Sequence, residues 1–392
     1  MSYSATVKNM ALRNDSWHID FNLLIPVIAL ISVGLVMVAS ASFSVADYKF
    51  ADEFLFFKRH VAYLVLGIGV GAIGFYVSPE IWAKYSLLWL LLSILLLAII
   101  LIPGVGLNLN GSRRWLSVGG FTLQVSEIAK GAAVVFLASQ LDKYRETLAD
   151  NWVQFGKLTA VVAVMSVLLI AEPDFGSVVV LNCMFAALLF LGGSHIRQFI
   201  ALLSLLFSTF WLMAIAAPYR VQRLTAYLDP WSDQFNSGYQ LTQSLIAFGR
   251  GEWFGVGLGQ SVQKMLYLPD AHTDFVFAIL AEEFGFIGVL CLLALYGLLI
   301  FRIMQLSKKA IAHQHWYGAY VLIGFGLILS GQAFINLGVN SGLLPTKGLT
   351  LPFVSYGGSS LIACCGMVGM MLRLGHEINR SKRTLVGGRH AR

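Results

Sequence analysis

The sequence predicts an all-α polytopic membrane protein of about ten transmembrane helices, with a large extracytoplasmic loop between the seventh and eighth spans. Three observations predict it. Of 392 residues, 57% are hydrophobic and 12% charged, and the mean hydropathy is +0.74, too apolar for a soluble domain. Apolar runs recur at close to the length a bilayer core demands, about 20 residues per helix. Finally, most of the 27 Lys and Arg residues fall in alternate loops on the side of the two termini, the bias expected of cytoplasmic segments.

The elements follow in order. A mostly polar tail, 1–22, precedes a first span at 23–43. Ala39-Ser40-Ala41 resembles a signal-peptidase site, but the apolar run is longer than a signal sequence carries, so it reads as an uncleaved anchor. Spans at 59–78 and 85–103 come next. The fourth, 125–141, is weakest because it holds Glu127 and Lys130. The fifth and sixth, 157–172 and 176–193, are short and separated only by Glu172-Pro-Asp-Phe-Gly176. After 198–217 comes the large loop, 218–274, then spans at 275–301, 317–338 and 356–374 and a basic tail, 375–392. Residues 23–374 thus form one membrane domain with both termini in the cytoplasm, and no internal repeat is visible.

Composition also limits function. A net charge of +7 does not call for nucleic acid, because cytoplasmic loops of membrane proteins are basic in any case. Cys183, Cys291, Cys364 and Cys365 all lie in apolar stretches, which indicates neither a disulfide framework nor a Cys-based zinc site. The large loop carries Trp231, Tyr239, Phe248, Trp253 and Phe254 among several glycines. Within it, Leu241 to Phe248 predicts a short helix lying in the interface with its apolar side toward lipid. The plainer alternative is a compact cap on the bundle.

Asp274 is the leading site candidate. It stands at the foot of the eighth span, in Leu268-Pro-Asp-Ala-His-Thr-Asp-Phe, and an ionisable group there is usually kept for something other than lipid. Asp270, Thr273 and Asp274 are also helix-capping types, so a cap is the competing reading. Glu282 and Glu283 lie roughly 12 Å further along a helix, where no cap is needed, and suggest a polar cavity into the bundle. His272 lacks a second ligand at metal-binding spacing. Glu127 and Lys130, three apart, share a helix face; an ion pair locking two helices and a catalytic or relay role both fit. Arg113-Arg114-Trp115 just precede that span, and the pair could line the same cavity.

A third patch runs from Asn336 through Gly342, Pro345, Lys347 and Pro352 to Ser355-Tyr-Gly-Gly-Ser-Ser360. Its Pro and Gly density predicts a tightly turned backbone at membrane depth, tolerated only against protein or a water-filled cavity. Ser355, Gly357 and Gly358 could present backbone N–H groups to an anion; close helix packing explains the glycines equally well.

These residues also carry a family resemblance. Pro269-x-x-His-Thr-Asp274-Phe-x-Phe-Ala-x-x-x-Glu-Glu283, Gly238-Tyr-Gln-x-x-Gln-Ser244, and Asn336 through Ser360 resemble the SEDS family of bacterial peptidoglycan polymerases. Arg114-Trp115, Gln124-x-x-Glu127-x-x-Lys130 and Glu172-Pro-Asp174-x-Gly176 match as well. The resemblance covers Leu23 to Leu374, departing only at Asp270, where Glu is common. Leu344 to Pro352 and the polar N-terminal tail resemble the division branch more than the elongation branch.

The resemblance implies a glycosyltransferase that polymerises lipid II at the outer face of the inner membrane during septal wall synthesis. A GlcNAc 4-OH would attack the MurNAc anomeric carbon with inversion, expelling undecaprenyl pyrophosphate. Asp274 is then the candidate base. The cations available for the pyrophosphate are Arg113, Arg114, Arg220, Arg223 and Lys347. It implies an FtsI-like class B penicillin-binding protein, the division transpeptidase, and other divisome membrane proteins as partners, and no nucleic acid. No metal ligand set or certain cofactor is implied, and a divalent cation is left open. The alternatives are a lipid II flippase, which lacks the expected two similar halves, and a non-catalytic scaffold for the transpeptidase.

Overall fold

A computed structural model describes residues 18–109, 112–118, 121–215, 227–345 and 348–389. Arg220, Arg223 and Lys347 lie outside the described residues. The predicted spans correspond one to one with long helices: α1 Phe21–Phe50, α2 Leu55–Tyr76, α4 Ser86–Ile100, α5 Val125–Tyr144, α6 Trp152–Ala171, α7 Phe175–Leu191, α8 Ile196–Ile215, α10 Val276–Ala312, α11 Trp316–Asn340 and α12 Gly358–Arg389. Among the described residues, the short helices α3 (Pro79–Lys84) and α9 (Tyr239–Gly251) and a π-helical turn, Gln263–Tyr267, accompany them. Six of them, α1, α2, α6, α10, α11 and α12, are long and apolar enough to cross a membrane, and α4, α7 and part of α8 are shorter apolar helices. The protein is a multi-pass membrane protein.

Local chemistry sets the helix ends. Asp20 caps α1 by accepting from the Leu23 N–H at 3.2 Å, Asn151 caps α6, and Asp174 caps α7. Bundle packing rests on small residues that let backbones touch, since between lipid-facing helices there is no hydrophobic drive to associate. A Cβ at Gly369 of α12 would lie 1.9 Å from the Gly71 carbonyl of α2, and one at Gly74 would lie 2.9 Å from the Gly366 carbonyl. The outer faces stay apolar, with Val65, Ile68 and Ile73 of α2 exposed.

The loops alternate between two ends of the bundle. At one, Lys264 of the large loop reaches Ser40 of α1 (2.8 Å) and Arg114 reaches Asp174 (3.8 Å). At the other, Arg302 pairs with Asp20 (2.6 Å) and the Arg145 guanidinium sits over the Trp316 ring at 4.2 Å. Asp274 belongs to the first.

The structure departs from the sequence reading in three places. The loop before α5 is a small antiparallel sheet of β1 (Leu107–Leu109), β2 (Ser112–Val118) and β3 (Phe121–Gln124), in the order β1-β2-β3. Helix α9 forms as expected, but Leu241, Ser244 and Ala247 are buried and Phe248 packs on Phe277 of α10. Its apolar face is against protein, not lipid. The third concerns α10, which breaks at Gly285 (φ 64°, ψ −164°). The backbone freed there bonds to the incoming loop: Val256 N–H to the Glu282 carbonyl (2.9 Å), Gly257 N–H to that of Glu283 (3.0 Å), and Phe286 N–H to that of Glu252 (2.9 Å).

Glu282 and Glu283 are used up by the same junction. Glu282 accepts from Ser261 Oγ, from the N–H groups of Val262 (3.1 Å) and Gln263 (3.3 Å), and from Arg250 (3.3 Å). Glu283 takes Lys264 Nζ at 2.7 Å and Ser40 Oγ at 2.7 Å. They fasten the loop to α1 and α10, so both acids are spent on this junction. Their desolvation is met by fixed donors, the condition under which buried carboxylates are tolerated.

Candidate functional site

Asp274 sits in a tight turn, 270–275, immediately before α10. Asp270 takes a left-handed conformation (φ 53°), and its carbonyl accepts the N–H groups of Thr273, Asp274 and Phe275 at 3.1 to 3.2 Å. Two asparagines one turn apart on α11 hold the turn: Asn336 Nδ2 and Asn340 Nδ2 donate to the Asp274 carbonyl at 2.8 and 2.9 Å. Asn336 also donates to the Leu349 carbonyl (2.6 Å), and Asn340 Oδ1 accepts from the Ala278 N–H (3.2 Å). The Pro- and Gly-rich segment after α11 is thereby strapped against the turn. A Cβ at Gly348 would lie 2.7 Å from Asp274 Oδ2, so only glycine leaves that carboxylate its place.

The Asp274 side chain is not a helix cap. The residue at the α10 cap position is Phe275, with no side-chain cap hydrogen bond, and the half-buried Asp274 carboxylate makes no hydrogen bond or ion pair to any described residue. Desolvation pushes its pKa up to about 7, the Asp270 charge adds to the rise, and Arg114 opposes it. A carboxylate that is clamped through its backbone, unengaged at its oxygens and poised near neutrality is suited to proton transfer. Beside it, His272 clusters with the rings of Phe56 (4.6 Å between centroids) and Tyr356 (5.6 Å), and its burial lowers its pKa to about 4, leaving the imidazole neutral.

Arg113 and Arg114 look equivalent in sequence, but successive side chains of a strand point to opposite faces. Arg114 shares a face of β2 with Ser112, donating to its Oγ at 2.9 Å, and its guanidinium stands 3.8 Å from Asp174. It also acts electrostatically on Asp274 and on Glu172. Arg113, between Ser112 and Arg114, lies on the other face. The sheet itself is docked through β3: Gln124 N–H donates to Ser359 Oγ (2.7 Å), Ser359 Oγ donates to the Thr122 carbonyl (3.1 Å), and Thr122 N–H donates to the Tyr63 hydroxyl (3.1 Å).

Two acids of the α6–α7 turn join the site, although the sequence reading used them only as a separator and a family match. Asp174 accepts from Ser126 Oγ (2.8 Å), Ser177 Oγ (2.9 Å) and Gln124 Nε2 (3.2 Å). Glu172 is fully buried, neither of its carboxylate oxygens has a hydrogen-bond partner, and burial raises its pKa to about 8.

The remaining candidates take other places. Glu127 and Lys130 pair at 2.8 Å in the interior, 3% and 1% exposed, and Gln332 Nε2 of α11 donates to both Glu127 oxygens at 3.2 Å. That geometry locks α5 to α11. A Cβ at Gly358 would lie 2.4 Å from the Tyr63 ring, and one at Gly357 would lie 3.0 Å from Thr350; both glycines serve close packing. Ser355 Oγ accepts from the Leu351 N–H (2.9 Å) and shapes the turn. Among the described residues, no three His, Cys, Asp or Glu are grouped so as to hold a metal ion.

The family model described as cell cycle protein, covering FtsW, RodA and SpoVE, matches residues 21–380. A protein of Saccharophagus degradans named probable peptidoglycan glycosyltransferase FtsW is 49% identical, over 93% of this chain and 94% of its own. A Coxiella burnetii protein of the same name is 48% identical, over 92% and 97%. Among solved structures, a chain from work on the coordination of polymerization and crosslinking by a peptidoglycan synthase complex superposes with a TM-score of 0.76 at 29% identity, covering 93% of this chain and 99% of that one. The rod shape determining protein RodA of Thermus thermophilus superposes with a TM-score of 0.68 at 29% identity, over 93% and 98%.

Proposed function

Because this chain belongs to the FtsW, RodA and SpoVE family and is a peptidoglycan glycosyltransferase of its division branch, we propose that it polymerises lipid II with Asp274 as the general base. The GlcNAc 4-OH of one molecule gives its proton to Asp274 as the oxygen attacks the MurNAc anomeric carbon of another. Attack opposite the leaving group inverts that carbon and expels undecaprenyl pyrophosphate. A base titrating about 7 is half-ionised near neutrality and strong enough to take a proton in the transition state. The observation that carries this reading is the free Asp274 carboxylate, fixed through its backbone by Asn336 and Asn340 and lying in the field of Arg114.

Arg114 supplies fixed positive charge where the pyrophosphate develops its own, and preorganised charge of that kind is among the strongest catalytic effects. Arg220, Arg223 and Lys347 are further candidates for the same anion. Glu127, Lys130 and Gln332 close the floor of the site by holding α5 to α11. Polymerisation of lipid II by the purified protein with its transpeptidase is the direct test, and absence of glycan chains from a well-assembled complex would refute the reading.

Gly348 gives a finer test. Gly348→Ala places a methyl against the Asp274 carboxylate and should slow polymerisation by about tenfold or more, since small displacements of a base are costly. An unchanged rate would mean that the carboxylate need not stay where it is.

The chemistry also requires an orientation. We place both termini in the cytoplasm of the bacterial inner membrane and the Asp274 end outside, at the division septum, with 23–374 as the membrane domain flanked by cytoplasmic tails. A class B penicillin-binding protein is the partner proposed, because a structural relative comes from a peptidoglycan synthase complex; other divisome proteins are expected around it. With the four native cysteines removed, a cysteine at the exposed Phe235 should label from outside the cell and one at the exposed Lys308 should not. The reverse pattern would put Asp274 in the cytoplasm and exclude this mechanism.

A further inference from the structure

Glu172 and Asp174 are two carboxyls of one turn, and the fold treats them oppositely. Asp174 takes Ser126, Ser177 and Gln124 and has the Arg114 guanidinium at 3.8 Å. Glu172 is 0% exposed, and neither of its oxygens has a donor. An ionised carboxylate in that position would have lost its water for nothing in return, so such a group resolves the conflict by keeping its proton. Burial is the main cause of its raised pKa, the Asp174 charge adds to it, and Arg114 opposes it. Among the described residues, the charges that act on it are Asp174 across the turn and Arg114 from the sheet. Further into the bundle, Glu127 is already neutralised by Lys130.

Arg114 thus stands 3.8 Å from Asp174 and acts electrostatically on Glu172 and Asp274 as well. Where it points depends on how many of them are charged. We propose that Glu172 is a positioning residue for the polymerase reaction: as a neutral acid it leaves the Arg114 guanidinium to Asp174 and to the charge that develops beside Asp274, and on ionising it draws that guanidinium out of the site. No covalent step is involved; Glu172 exchanges a proton with solvent between turnovers. The proposal rests on the assignment of Asp274 as base.

The consequence is a bell-shaped pH profile. The rate should rise as Asp274 ionises near 7 and fall as Glu172 ionises near 8, and because both groups feel Arg114 the two values belong to the coupled set. The test is the initial rate of glycan formation from lipid II by the purified complex, from about pH 6 to about pH 9.5, each variant normalised to its own rate at pH 7. Relative to pH 7 the wild type should drop by about fivefold at pH 9, whereas Glu172→Gln, which cannot ionise, should lose the alkaline limb and keep the acid one. Glu172→Met should behave like Gln, because the carboxyl it replaces has no partner.

A wild-type profile without an alkaline limb near pH 8 would overturn the proposal, whether or not either variant assembles. So would a Gln or Met variant that keeps the limb. A missing acid limb, by contrast, would strike the assignment of Asp274 and not that of Glu172.

Discussion

Replacing Asp274 by Asn should slow glycan synthesis by about 100-fold or more, which is a loss of about 2.7 kcal/mol of transition-state stabilisation, with the fold and the partner complex intact. The structure separates the two effects. The turn is held by the Asp274 carbonyl, which accepts from Asn336 and Asn340, and the substitution leaves that group unchanged. The carboxylate has no hydrogen-bond partner among the described residues to lose, and Asn relieves the cost of burying a charge. What disappears is the capacity to accept the hydroxyl proton. Glycan chain formation from lipid II should be compared for wild type, Asp274→Asn and Asp270→Asn, each as the purified complex with its transpeptidase. A well-assembled Asp274→Asn complex that polymerises at the wild-type rate would remove Asp274 from the mechanism and make Asp270 the next acid to test.

Arg114→Gln should also cost about 100-fold, on the scale of losing one preorganised donor at a developing oxyanion. It carries a second signature. Arg114 holds the Asp274 pKa below what burial and Asp270 alone would give. Without it the folded-state pKa rises further, so the acid limb of the pH profile should move to higher pH and more base be needed to reach half-maximal rate. Arg113→Gln should have the smaller effect, because Arg113 projects from the opposite face of β2. Equal losses from both substitutions, with no movement of the acid limb, would show that the strand contributes only general positive charge. The binding contribution can be read separately, as an increase in the lipid II concentration needed by the Arg114 variant.

Much of this was legible because lipid imposes a strict grammar. A span must be apolar and about bilayer length, and each of the ten runs became a helix, even 125–141 with its Glu127 and Lys130. Asp274 stood out for the complementary reason, as an acid that no lipid-facing helix end requires. The small sheet was less visible. Asn110-Gly111 and Gly119-Gly120 are hairpin-type dipeptides around a Ser-Arg-Arg-Trp-Leu-Ser-Val segment, but those seven residues do not alternate strictly between polar and apolar and are a weak signal beside runs of twenty. Glu282 and Glu283 misled for a specific reason. Their position along a straight helix was computable, but the break at Gly285 and the loop that fills it depend on backbone contacts with residues 30 positions earlier.

By itself the sequence determined the membrane class, the order of the spans, the grouping of Asp274 with Arg113 and Arg114 at one end, and the family, since apolar length, charge bias and motif spacing are properties of the chain read along its length. Only the tertiary structure decided which of two adjacent arginines meets the acids, that Glu127 and Lys130 are bound to Gln332, and that Asp174 collects every donor while Glu172 receives none. Chemically matched residues differ in those respects through burial and the direction of neighbouring donors, and both are set by segments far apart in the chain.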